Sequence, residues 1–149
     1  MDILEVAKGL YEKAWNNRDF EYLEKIIDPN YHPEWVLMPE KGTSLIQKEI
    51  NYLTTAIPDL KYKLVKLSQD KNTVWIWYKM EGTQTKQFFG FKPSNKKFSQ
   101  DGAALLYFNE ENKIYDQMGF YCFEEIFQQL GHVPYYWDLH KYLQNYKPD

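Results

Sequence analysis

The chain has 149 residues, a formal net charge of −3, a hydrophobic fraction of 44% and one cysteine. This length and apolar content suit one domain with one core, whereas the small charge offers no basic surface to nucleic acid and one cysteine excludes an internal disulfide. No apolar run approaches the roughly 20 residues of a membrane span, and the acidic N-terminus is unlike a signal peptide, so we expect a cytoplasmic protein with no membrane partner.

Three helices are predicted in the first 57 residues. The first covers 2–16, because apolar residues recur there every three or four positions; they are Leu4, Ala7, Tyr11 and Ala14. The second covers 19–27. The third begins at a capping box formed by Ser44 and Gln47, and Pro58 ends it, because proline disfavours a helical residue before it.

After Pro58 the apolar period changes to two, which predicts strands. We place them at residues 62–67, 74–81, 97–108 and 114–121. A short helix follows over 123–130, closed by Gly131. Helices followed by antiparallel strands are the α+β pattern. We therefore predict one domain shaped as a cone, in which a curved antiparallel sheet wraps around the N-terminal helices.

Four motifs follow one another between residues 81 and 131. They are Gly82-Thr83-Gln84, Phe89-Gly90-Phe91-Lys92-Pro93-Ser94-Asn95-Lys96, Lys113-Ile114 and Gln129-Leu130-Gly131. This pattern resembles the SnoaL-like polyketide cyclases, a branch of the NTF2-like (ketosteroid-isomerase-like) cone fold, and its spacing fits without a gap. The resemblance implies a SnoaL-like domain over 1–131. It leaves 132–149 as a C-terminal extension.

The resemblance also implies the chemistry. Family members need no metal or organic cofactor, and they act on hydrophobic small molecules. An Asp removes a proton next to a ketone, and an aldol step closes a ring. Here Gln84 stands at the family's His and Cys122 at its Asp. We therefore expect general acid/base catalysis with a non-standard set of residues.

Substrate-binding residues are predicted mainly from strand parity. Alternate residues of a strand face one side, so Asp116, Met118, Phe120 and Cys122 should share a face, and the resemblance implies that this face is the concave one. The predicted substrate-binding set is Tyr11, Trp15, Tyr78, Gln84, Met118, Phe120 and Cys122. The alternative for Cys122, which we favour, is a small buried hydrophobe. Gln84 could equally be a strand-end amide bonded to the backbone.

The predicted catalytic set is Asp116, His32, Glu34 and Asp59. Asp116 is the acid that remains on the predicted concave face. His32 and Glu34 lie where family members often carry a His near the pocket mouth, and Asp59 follows the third helix. Each also has a structural interpretation: an ion-paired carboxylate, a solvated loop histidine or a turn residue. No spacing of His, Asp and Glu predicts a metal site.

Three functions remain open on this basis. The first is a cofactor-independent cyclase or isomerase of secondary metabolism, acting on a polyketide- or terpenoid-like molecule. The second is a binding module with an NTF2-like pocket, and the third a dimeric scaffold. Trp75 and Trp77 point away from the core side of their strand and predict a homodimer through the outer sheet face.

The extension carries five aromatic residues, and disordered tails are poor in them, so we expect it to be ordered. A helix over 138–146 would place an apolar stripe on one side. It could cover the mouth of the cone or pack on its outside.

Overall fold

The computed structural model describes residues 1–134 and 144–148. The helices are α1 over Ile3–Gly9, α2 over Phe20–Ile26, α3 over Thr43–Ala56 and α4 over Phe123–Gln129, and α1 continues as a π-helical segment over Leu10–Trp15. The strands are β1 over Lys61–Asp70, β2 over Thr73–Thr83, β3 over Lys97–Phe108 and β4 over Ile114–Phe120. The tail helix predicted over 138–146 lies largely outside the described residues.

The four strands form one antiparallel sheet in the order β1-β2-β3-β4. Its inner face is buried against the helices, and β2 contributes Val74, Ile76, Tyr78 and Met80 to the core. This face is the one that the period-two pattern of β2 predicts. The predicted α+β cone, a curved antiparallel sheet around the N-terminal helices, is confirmed. None of the helices in the described part of the chain has the length and apolarity to cross a bilayer.

The start of α3 differs from the prediction. Gly42, at φ +62°, precedes the helix, and no side chain caps it. The Ser44 hydroxyl instead donates to the Lys41 carbonyl at 2.8 Å. The predicted capping box is therefore wrong, because Gly42 adopts a backbone conformation open to glycine and the helix begins at Thr43, two residues too early for Ser44 to cap it.

A β-bulge in β4 changes which residues of that strand face inward. Phe108 pairs with Ile114, but Tyr107 pairs with Asp116, so Tyr115 is an extra residue. Beyond the bulge Gln117 and Gly119 lie opposite the buried Leu106 and Ala104. Their neighbours Asp116, Met118 and Phe120 pair with Tyr107, Leu105 and Ala103 on the outer face. The predicted concave face of β4 is therefore wrong, because one extra residue inverts the parity.

Candidate functional site

A cavity of about 580 Å³ opens between the first helix, α3 and the inner face of the sheet. Its wall is largely aromatic and includes Tyr11, Trp15, Tyr52, Tyr62, Tyr78 and Phe89. A cavity of this size and lining suits a small hydrophobic molecule.

The π-helical segment supplies the base of this wall. It places Tyr11 and Trp15 side by side, and both are buried. The Tyr11 ring lies 5.1 Å from Tyr62 and 5.3 Å from Tyr78, and the last two rings lie 4.9 Å apart, centre to centre. We call Tyr11, Tyr62 and Tyr78 the tyrosine cluster. Single π-helical turns are frequent at functional sites because they re-aim side chains.

The hydroxyls of the tyrosine cluster belong to three residues that line the cavity. None of them donates to another residue in the described part of the chain. Burial raises the pKa of all three phenols, and repulsion between the neighbouring phenols adds to it. The three groups therefore stay neutral and can donate hydrogen bonds across the physiological pH range.

Among the described residues, the carboxyl group in this wall is that of Glu49 on α3. It makes no hydrogen bond or ion pair with any residue of 1–134 or 144–148. Lys48 beside it is held by Glu40 at 2.5 Å. Burial raises the pKa of Glu49 to about 7, because the aromatic surroundings disfavour the charged form. Such a carboxyl exchanges a proton readily near neutral pH.

The charge of Glu49 also acts on the phenols around it. Burial is the largest cause of the raised pKa of Tyr11 and Tyr62, and the neighbouring phenols come next. The Glu49 carboxylate adds a smaller increase to both pKa values. Burial and then Glu49 raise the pKa of Tyr121 to about 12. The carboxyl and several phenols therefore face the same space, an arrangement of one proton acceptor and several neutral donors.

The predicted substrate-binding residues divide into three groups. Tyr11, Trp15 and Tyr78 line the cavity, and Gln84, Phe120 and Cys122 do not. Met118 borders the cavity between the inward Gln117 and Gly119, although it pairs with Leu105 on the outer face of the sheet. The Phe120 ring packs against Trp75 on the outer face, with 5.7 Å between centres. Cys122 is exposed, so it is not the small buried hydrophobe of the alternative interpretation. Its backbone N–H and carbonyl bond to the side chain of Gln100.

Gln84 is fully buried, and both polar atoms of its side chain are hydrogen-bonded. Its Nε2 donates to the carbonyls of Lys86, Phe91 and Lys92, at 2.9, 3.3 and 3.1 Å. Its Oε1 accepts from the Ser94 hydroxyl at 3.2 Å and contacts Nε2 of His132. Gln84 therefore holds the loop between β2 and β3 together rather than facing a ligand.

None of the four predicted catalytic residues lines the cavity. His32 donates from Nε2 to the Met38 carbonyl at 2.7 Å. Asp59 accepts from the backbone N–H of Thr83 at 2.6 Å and from its hydroxyl at 2.8 Å. Glu34 is exposed, and Asp116 accepts from the Gln117 N–H at 2.8 Å. Their catalytic roles stay predictions, and the geometry directs attention to Glu49.

The sequence carries a signal for Glu49 that the prediction missed. Glu49 lies four residues after Leu45 and four before Leu53, so it falls within the apolar stripe of α3. An acid in the apolar stripe of a helix is rare unless it has a partner or a function. Within the described residues, no three His, Cys, Asp or Glu side chains come together as metal ligands would.

An α+β cone with an open aromatic cavity is the architecture of the NTF2-like proteins that hold small molecules. Residues 5–130 match the family model of the SnoaL-like polyketide cyclases, and the chain belongs to that family. This membership supports a cyclase or isomerase role in general terms. A comparison with curated protein sequences finds no match.

Solved structures share the fold. TsrD from Streptomyces laurentii superimposes with a TM-score of 0.75 at 18% identity, over 88% of this chain and 93% of TsrD. A SnoaL-like polyketide cyclase from Agrobacterium tumefaciens gives a TM-score of 0.72 at 18% identity, over 88% of this chain and 99% of that protein. At 18% sequence identity, this similarity shows a shared fold.

Proposed function

We propose that this protein is a cytoplasmic, cofactor-independent cyclase or isomerase of secondary metabolism with Glu49 as its general base. Its substrate would be a hydrophobic polyketide- or terpenoid-like ketone. The observation that carries the proposal is the unpaired Glu49 carboxyl in an aromatic cavity, with a pKa raised by burial to about 7. A base is most effective when its pKa lies near the working pH.

The mechanism uses the two kinds of group that the cavity brings together. The Glu49 carboxylate removes a proton from the carbon next to a ketone, and the electron pair moves to the ketone oxygen as an enolate. Hydroxyls of the tyrosine cluster donate to that oxygen and stabilise its charge. The proton on Glu49 then returns to another carbon in an isomerisation, or to the alkoxide that an aldol ring closure forms.

The proton-transfer step can be tested with 2-tetralone, a flat apolar ketone that stands in for the substrate. We expect the protein to accelerate exchange of its α-protons in deuterated buffer, followed by proton NMR. The catalysed rate should rise as the pH increases through about 7 and then level off, because the carboxylate is the active form. A catalysed rate without this rise would contradict Glu49 as the base, and the absence of any acceleration would contradict the proposed chemistry.

We also propose a homodimer through the outer face of the sheet. Trp75 and Trp77 on β2, and Met118 and Phe120 on β4, are each 44–47% exposed there. These two strands flank β3 on either side. Such an apolar patch is typical of an interface. Light scattering at micromolar concentration should give the mass of a dimer, and Trp75→Glu combined with Phe120→Glu should give a monomer. A wild-type monomer under these conditions would refute the dimer.

A further inference from the structure

A two-residue hairpin turn stands at the mouth of the cavity. Phe88 and Phe91 exchange both backbone hydrogen bonds, at 3.0 and 2.9 Å, and pair as an antiparallel bridge. Phe89 and Gly90 form the tip between them, at φ +48° and +84°. Positive φ at both central residues is what the tightest hairpin turn requires, and Asn, Asp or Gly usually occupy the first of these positions.

Phenylalanine at the first position of this tip is costly. The left-handed region brings Cβ close to the following carbonyl oxygen, and a bulky residue there is an outlier. Strained residues of this kind cluster at ligand clamps and active sites, where the surrounding structure holds them. The turn itself has no need of a ring, so the ring has a role outside the turn.

The contacts of Phe89 indicate that role. Its N–H donates to the Tyr52 hydroxyl at 2.9 Å, and its ring packs edge-on against Tyr52, 5.2 Å between centres, and against Phe123, 4.9 Å. Tyr52 belongs to α3 and Phe123 to α4, and all three line the cavity. The Phe89 ring therefore bridges the two helices across the opening, while 47% of the residue remains exposed.

We infer that Phe89 is a gate that sets the size of the ligand admitted to the cavity. The hairpin carries the ring as one unit, and the hydrogen bond from its tip to Tyr52 holds the gate closed. A flat molecule passes beside the ring, and a broader one is excluded until the tip moves. The inference rests on the proposed use of the cavity as a ligand site, and it does not depend on the chemistry of Glu49.

The gate can be tested with two neutral fluorescent probes, the small N-phenyl-1-naphthylamine and the broader Nile red. Phe89→Asn and Phe89→Gly remove the ring and suit the positive φ, so both should fold. The measured quantity is the Kd ratio, the Kd of Nile red divided by the Kd of the small probe. We expect this ratio to fall by about tenfold in both variants. Phe89→Tyr keeps the ring and should behave like the wild type.

A second variant tests the hydrogen bond that holds the gate closed. Tyr52→Phe removes the acceptor of the Phe89 N–H and keeps the ring of residue 52. Stopped-flow measurements should show faster entry and faster release of Nile red, whereas the rates of the small probe, which passes beside the ring, should stay at the wild-type values. An unchanged Kd ratio in Phe89→Asn or Phe89→Gly would overturn the gate, as would the loss of folding in both. Failure of the proposed chemistry would leave these titrations untouched, because neither probe reacts.

Discussion

Glu49→Gln is expected to lower the catalysed exchange of 2-tetralone by about 10²–10⁴-fold, the usual contribution of a positioned general base. Glutamine has nearly the shape of glutamate and cannot accept the proton. The cavity therefore keeps its volume and its phenol donors, and binding of N-phenyl-1-naphthylamine should be unchanged. Initial exchange rates and probe titrations on the same preparation separate the loss of chemistry from the loss of binding.

The same substitution should stabilise the protein above neutral pH. The folded pKa of Glu49, about 7, lies above the ordinary value of 4.5, so the fold favours the protonated form. Stability is then fully present below about pH 4.5 and is lost as the pH rises through 7. The loss amounts to up to about 3 kcal/mol at pH 8. Urea unfolding should show Glu49→Gln more stable than the wild type at pH 8, and equal to it near pH 4.5.

Two control variants make this test decisive. Glu124→Gln removes an exposed carboxylate on α4 and should change neither the rate nor the pH dependence of stability. Asp116→Asn removes the acid that strand parity favoured, and we expect the exchange rate to stay at the wild-type value. A loss of exchange in Asp116→Asn with none in Glu49→Gln would reverse the assignment of the base. A Glu49→Gln protein that exchanges 2-tetralone at the wild-type rate would contradict Glu49 as the base.

The fold could be predicted from the sequence because local pattern and tertiary packing agree along most of it. The alternation in β2 predicts its buried face, and Gly131 closes α4 in the left-handed conformation, at φ +81°. Such elements are predictable because the period of apolar residues and the turn residues point to the same structure.

The candidate site could be predicted only in part. Tyr11, Trp15 and Tyr78 belong to regular elements whose inner side the pattern identifies, and they line the cavity. The inward residues of β4 were missed, because a bulge of one residue leaves no mark in the sequence and inverts the parity after Tyr115. Glu49 was missed because a charged residue on a helix is usually solvated, and its burial depends on tertiary contacts.

Gln84→Leu is expected to destabilise the fold by about 3 kcal/mol or more, because a buried group left unpaired costs about 1–3 kcal/mol. Leucine has a similar size and cannot bond. The carbonyls of Lys86, Phe91 and Lys92 would lose a common donor, and the Ser94 hydroxyl its acceptor. For a chain of this length the Tm should fall by roughly 10 °C.

Gln87→Leu is the matched control for this prediction. Gln87 lies three residues further along the same loop and is exposed, so its replacement should change the free energy of unfolding by less than about 0.5 kcal/mol. Urea unfolding of both variants at one pH gives the comparison. A Gln84→Leu protein as stable as the wild type, but weaker in binding N-phenyl-1-naphthylamine, would contradict the structural role. It would return Gln84 to the ligand-binding role that the resemblance implied, because loss of a loop support cannot weaken binding without lowering stability.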